Sequence, residues 1–161
     1  MNEIIKDINK YNIIEGILDI KNNLLFNSKE KLEVEVYINN KKIKIIKEGN
    51  QYKLDDNINK EKYEFKIYIK NKIKDIYFEN CINLYSIDFT NFDTSNITNM
   101  EGMFSHCHQL KELKGINNFK TSKVKNMRGM FNECNNLINL DLNFDTSNVI
   151  DMECMFNEFM N

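Results

Sequence analysis

The sequence predicts an α+β chain: a small antiparallel β unit over residues 1–77, then a short solenoid over residues 78–161 with a strand and a short helix in each turn. Three observations predict it. Apolar and polar residues alternate through much of the first half, which is the period of a strand. Residue usage then shifts near Lys72–Phe78. Residues 1–77 carry 16 Lys against 13 acids, whereas residues 78–161 carry 6 bases against 11 acids together with seven of the eight Met and nine of the eleven Phe. Finally, from Phe78 onward Phe and Cys recur at a nearly constant interval, the mark of a repeat.

The β elements follow in order. Ile13–Ile20 and Leu24–Phe26 are short strand candidates. Lys31–Ile38 places Leu32, Val34, Val36 and Ile38 on one face. Asn39-Asn40 follows, and Asn tolerates the positive φ that a two-residue hairpin turn needs. Lys41–Ile46 returns as a strand, Glu48-Gly49-Asn50 turns again, and Gln51–Leu54 follows. Lys62–Lys70 alternates with Tyr63, Phe65, Ile67 and Ile69 facing inward. The lysines at outward positions read as a solvated face and as edge protection.

The repeat is set by Phe78, Phe104, Phe131 and Phe156, spaced 26, 27 and 25 residues apart, and by Cys81, Cys107 and Cys134, spaced 26 and 27. Each unit opens on Leu84-x-x-Ile87-x-Phe89 or its counterparts at Leu110-x-x-Leu113 and Leu137-x-x-Leu140-x-Leu142. That is the L-x-x-L-x-L strand of a leucine-rich repeat. Each closes on Ile97, Met100, Met103 and Phe104, matched by Val124, Met127, Met130 and Phe131 and by Val149, Met152, Met155 and Phe156. Spacings of three, six and seven predict one face of a short helix. Thr94-Ser95, Thr121-Ser122 and Thr146-Ser147 precede these segments as candidate caps. Thr98-x-x-Glu101 fits a capping box.

Composition bounds the function. A net charge of -2 over 161 residues argues against a nucleic-acid binder. Charged residues interrupt every apolar run, so no membrane span is expected and the N-terminus does not read as a secretory signal. The expected location is therefore the cytoplasm, and the four cysteines are expected to be reduced. His106-Cys107-His108 has residue types that bind zinc, but the cysteine recurs at Cys81 and Cys134 without flanking histidines, so the repeat accounts for it. Asp93-Thr94-Ser95 and Asp145-Thr146-Ser147 recur too, which favours turn duty over catalysis. The Met pairs sit beside Phe and read as core. No catalytic, cofactor-binding or metal-ligating set is assigned, and an enzyme with its site in the β half is the least favoured reading.

The motifs Phe92–Ile97, Phe119–Val124 and Phe144–Val149, followed by Met100–Phe104, Met127–Phe131 and Met152–Phe156, resemble the BspA-like leucine-rich repeat family. The resemblance covers residues 78–156 and implies a solenoid used for protein contacts, in a family whose bacterial members are often surface proteins or adhesins. The leading expectation is a non-enzymatic protein-interaction module. Its contact surface is expected at the outward strand positions Tyr85, Ser86, Asp88, Lys111, Glu112, Lys114, Asn139 and Asp141. The alternative is a surface or adhesion protein, or a piece of a longer repeat array. The C-terminal turn, with Leu140, Leu142, Met152, Phe156 and Phe159, is expected to form an open apolar end suited to self-association.

Overall fold

Alternation in the first half becomes strand pairing. The computed structural model describes residues 11–19, 24–55, 62–70, 72–138 and 140–158. Among these, nine strands form two sheets. They are β1 (Asn12–Asp19), β2 (Leu24–Asn27), β3 (Val34–Ile38), β4 (Lys41–Ile43), β5 (Ile45–Glu48), β6 (Gln51–Leu54), β7 (Lys62–Ile69), β8 (Leu84–Asp88) and β9 (Glu112–Lys114). The larger sheet runs β4-β3-β7-β1-β8-β9 and the smaller β2-β6-β5. All pairings are antiparallel except β8 with β9. Asn39 and Asn40 both have positive φ, 47° and 64°, as a type I′ hairpin between β3 and β4 requires. Lys41–Ile46, expected as one strand, breaks at Lys44 and serves both sheets as β4 and β5.

Phe65, Ile67 and Ile69 of β7, Val36 and Ile38 of β3, and Ile14 and Leu18 of β1 are buried on the inner face. Phe26 of β2 stacks on Tyr52 of β6 with ring centroids 4.5 Å apart. The Tyr52 hydroxyl accepts from Leu32 N–H at 2.7 Å and donates to the Glu30 carbonyl at 2.9 Å, so the ring is buried with its polar end satisfied.

The two halves share one sheet. β1 pairs with β8, and Gly16 lies opposite Ile87 in that seam. A Cβ at Gly16 would fall 2.2 Å from the Ser86 carbonyl oxygen and 2.7 Å from the Phe65 ring, so only glycine lets the strands and the ring come this close. Asn27 and Tyr77 exchange backbone hydrogen bonds of 2.6 and 2.9 Å, and Phe26 packs on Phe78.

The expected fold class is overturned in its second half. Among the described residues there is no α-helix, only one 3-10 turn at Ile116–Asn118. The architecture is nearly all β, with two open sheets, and not a leucine-rich solenoid with a helix per turn. The backbone explains why. The N–H groups of Met100, Gly102, Phe104 and His106 donate to the carbonyls of Asn126, Arg128, Met130 and Asn132, at 2.8–2.9 Å. Those of Met127, Gly129, Phe131 and Glu133 do the same to Asp151, Glu153, Met155 and Asn157. The intervening N–H groups of Met103, Ser105 and Cys107 close turns onto Met100, Gly102 and Phe104. A helix needs every N–H within its own segment and negative φ throughout. Here alternate N–H groups leave the segment, and Gly102, His106, Gly129, Glu133, Cys154 and Glu158 hold φ between 54° and 61°.

These segments are therefore chains of β-turns laid one on another. The expected caps do other work. Thr94 Oγ1 accepts from Lys120 N–H at 2.7 Å and Thr121 Oγ1 donates to the Asp145 carbonyl at 3.1 Å, both between layers. The expected capping box at Thr98 and Glu101 is replaced by a turn in which Asn99 Oδ1 accepts from Glu101 N–H at 2.9 Å. Asn126 and Asp151 repeat it with Arg128 and Glu153.

Side chains fill the inside of the stack. Phe78, Phe104, Phe131 and Phe156 lie face to face with centroids 5.6–5.9 Å apart. Cys81, Cys107 and Cys134 are buried free thiols. The last two each donate at 3.0 Å to a Phe carbonyl one layer back, that of Phe78 or Phe104. Burial pushes the Cys134 thiol up to about 12.

The third expected strand is also corrected: residues 140–142 join no ladder, and the sheet ends at β9. Asn139 and Phe159 lie outside the described residues.

Candidate functional site

The outward positions of the larger sheet build one continuous face. Strand register aligns Lys42, Tyr37, Lys66, Glu15, Asp88 and Lys114 in a row crossing all six strands. Beside it run Glu64, Ile17, Ser86 and Glu112. Lys66 Nζ donates to Glu15 Oε1 at 2.9 Å, which raises the lysine pKa. Lys42 lies 3.1 Å from Glu35, and its hydrogen bond lowers that carboxyl. At one end Tyr37 and Tyr11 pack edge-on against Tyr68, at 5.6 and 5.9 Å.

At the other end stands Tyr85 on β8. Lys62 Nζ lies 3.4 Å from its ring centroid and Lys111 Nζ 5.1 Å. Hydrogen bonding from Lys111, with both ammonium charges near, lowers the Tyr85 phenol. A ring flanked by two cations is a cation–π arrangement bridging the halves.

Of the residues expected at a contact surface, Tyr85, Ser86 and Asp88 lie on β8, Glu112 and Lys114 on β9, and Lys111 just before it. Ser86 and Asp88 oppose Glu112 and Lys114 directly. Asp141 is exposed but on no strand, and Asn139 lies outside the described residues. Sequence reasoning passed over Glu15, Tyr37, Lys62, Lys66 and Tyr68, the continuation of this face. Their signal was the outward alternation of the early strands, which read as solvated lysines.

An open groove of about 540 Å³ lies between the loop after β2 and the stack of turns, lined by Ser28, Tyr77, Glu79, Asn99, Glu101 and Arg128 among others. Several of its polar groups are already engaged. Ser28 Oγ donates to Asp75 at 2.5 Å, and Arg128 pairs with Glu153. Burial and the Asp75 and Glu101 carboxylates push the Tyr77 phenol up to about 12. In the His106-Cys107-His108 triplet the thiol points inward, so it is no ligand beside the two imidazoles.

Comparison with protein families bears on residues 71–161, which match a family described as "Mycoplasma protein of unknown function, DUF285". The chain belongs to the DUF285 family. The DUF285 segment takes in β8, β9 and the stack of turns, while β1–β7 precede it. This overturns the resemblance to BspA-like leucine-rich repeats: DUF285 is the family that matches, and its segment lacks the strand-plus-helix turn that resemblance implied. No curated protein and no solved structure matches the chain. Among the described residues no helix is long and apolar enough to cross a membrane.

Proposed function

We propose that this protein is a non-enzymatic protein-binding module whose partner docks on the outer face of the six-stranded sheet. One observation carries the reading: charged and tyrosine side chains from both halves form a single face fixed by strand register, with Tyr85 between Lys62 and Lys111. Tyrosine supplies contact area with a polar edge, and alternating charges select a partner of complementary pattern. Nucleic acid is disfavoured because Lys66 near the centre of the face and Lys42 on its edge strand are paired with Glu15 and Glu35. A phosphate backbone needs a field of one sign.

The test is capture on the immobilised chain, compared with a variant carrying Tyr85→Ala, Lys111→Glu and Lys114→Glu. The expected result is a partner whose affinity falls at least ~10-fold, the scale of hot-spot loss, while Lys123→Glu on the turn stack leaves it unchanged. Equal loss in both variants contradicts the reading.

A second reading rests on the last described turns. Ile150 is 85% exposed, and Ile138, Met152 and Phe156 are exposed with it. Phe156 stacks on Phe131 in the column of rings. An exposed apolar patch of this kind supports self-association. Phe26 packs against the first ring of the column, Phe78, at the other end. Two copies would then meet through this patch and close as a dimer. Light scattering over a concentration series should show mass doubling and no further growth; a strict monomer or an open polymer contradicts it.

A further inference from the structure

We propose that His106, His108 and Glu133 form a binding site for a divalent transition cation of the zinc type. These are the chain's only two histidines, and one ligand atom from each of the three residues lies within 4.8 Å of the others. His106 Nδ1 is 3.0 Å from Glu133 Oε2, and His108 Nε2 is 3.9 Å from the same oxygen. Donor atoms about 2.1 Å from a tetrahedral ion stand roughly 3.4 Å apart, so the two distances bracket what a shared ion needs.

The protonation pattern favours coordination. His108 Nδ1 lies 3.1 Å from the Glu133 backbone carbonyl. A carbonyl can only accept, so Nδ1 carries the hydrogen and, in the neutral ring, Nε2 keeps its lone pair. A histidine oriented through its other nitrogen onto a carbonyl is the usual support for a metal-binding imidazole. His106 donates from Nδ1 to Glu133 when no ion is bound, and it coordinates after its proton moves to Nε2 by exchange with water. The set N, N, O suits borderline cations such as Zn²⁺, Ni²⁺ or Cu²⁺ rather than Mg²⁺ or Ca²⁺.

The backbone holds the three residues in place. His106 and Glu133 occupy equivalent positions in successive layers, with φ of 59° and 58°. The His106 N–H donates to the Asn132 carbonyl at 2.9 Å, fixing one layer over the next. Asn136 Nδ2 donates to the His108 carbonyl at 2.5 Å. The intervening thiol of Cys107 is anchored inward on Phe78. The three side chains are each about one-third exposed, 35%, 39% and 29%, so an ion can enter and the fourth position stays open to water or to a donor from a partner. In the first layer Asn80 and Ile82 stand where His106 and His108 stand, so the site belongs to one layer alone.

The experiment is Zn²⁺ titration of the full chain followed by the imidazole ¹⁵N resonances, in a Cys154→Ser background that removes the one exposed thiol. One ion per chain is expected, with the His106 and His108 ring nitrogens shifting together. His106→Asn, which the left-handed backbone tolerates as it does Asn80, should weaken binding by more than the ~10–100-fold that loss of an outer-shell partner costs, and Glu133→Gln should do likewise. Unmoved ring nitrogens, or affinity unchanged in Glu133→Gln, overturn the proposal. Because the ring nitrogens are read with the triad intact, the answer does not depend on either ligand variant folding.

Discussion

Strands β3 and β7 and the turns of residues 97–133 bury apolar side chains by opposite uses of the backbone. In the first region each strand spends its N–H groups on neighbours beside it, and side chains alternate strictly inward and outward. In the second the chain turns every few residues and sends alternate N–H groups to the layer above, so that Met100, Met103 and Phe104 all reach the inside. The difference teaches that apolar spacing alone does not fix secondary structure. A stack of β-turns and a short helix bury residues at the same intervals of three and four, and the sign of φ at one residue separates them.

The comparison can be broken most forcefully inside the phenylalanine column. Phe104 is fully buried between Phe78 and Phe131, so Phe104→Ala should cost about 3–5 kcal/mol. Phe156 stacks on Phe131 but is 43% exposed, so Phe156→Ala should cost only about 1 kcal/mol. Urea midpoints measure both, and equal losses would mean that the layers do not stack as described. Next comes the seam between the regions. Gly16→Val would drive a side chain into the Ser86 carbonyl and the Phe65 ring, an overpacking worth about 3 kcal/mol. A variant as stable as the parent would show that β1 does not pair with β8.

A smaller effect concerns alkaline pH. The Tyr77 phenol, raised to about 12 by burial first and then by Asp75 and Glu101, stays protonated in the folded chain after the unfolded chain ionises near 10. Its effect on stability is nil below pH 10, and stability falls as pH rises from 10 toward 12. Partial exposure of Tyr77 to solvent keeps the loss below about 1 kcal/mol. Tyr77→Phe should flatten that part of the pH–stability curve; an unchanged slope would remove Tyr77 as its cause.

The strands β3 and β7 were legible because alternation leaves few other ways to hide Val36, Ile38, Phe65, Ile67 and Ile69 on one face. The hairpin was legible because Asn39-Asn40 can take positive φ. The expected helices fail because Gly102 and Gly129 stand inside the helical period and each holds a left-handed turn. The third strand failed at Leu140 and Leu142, whose leucine spacing fits the motif although the chain there pairs with nothing in a ladder. The part of the larger sheet's outer face on β8 and β9 was legible from the outward strand positions. The rest depends on β1 meeting β8, a pairing between distant segments that no local pattern encodes. Glu133 was hidden for the same reason: it meets His106 only through the offset between layers.

Gly102→Ala tests the central claim most directly, that the Met-rich segments are stacked turns. A Cβ there meets only Ser105 Cβ at 3.7 Å, an ordinary contact, so the substitution probes φ alone. In a left-handed turn it should lower stability by about 1 kcal/mol, the ~1–2 kcal/mol cost of that conformation for an L-residue less the entropy removed from the unfolded chain. In a helix the same change would raise stability by about 1 kcal/mol. A urea midpoint shifted downward is the predicted result, and one shifted upward would contradict the account.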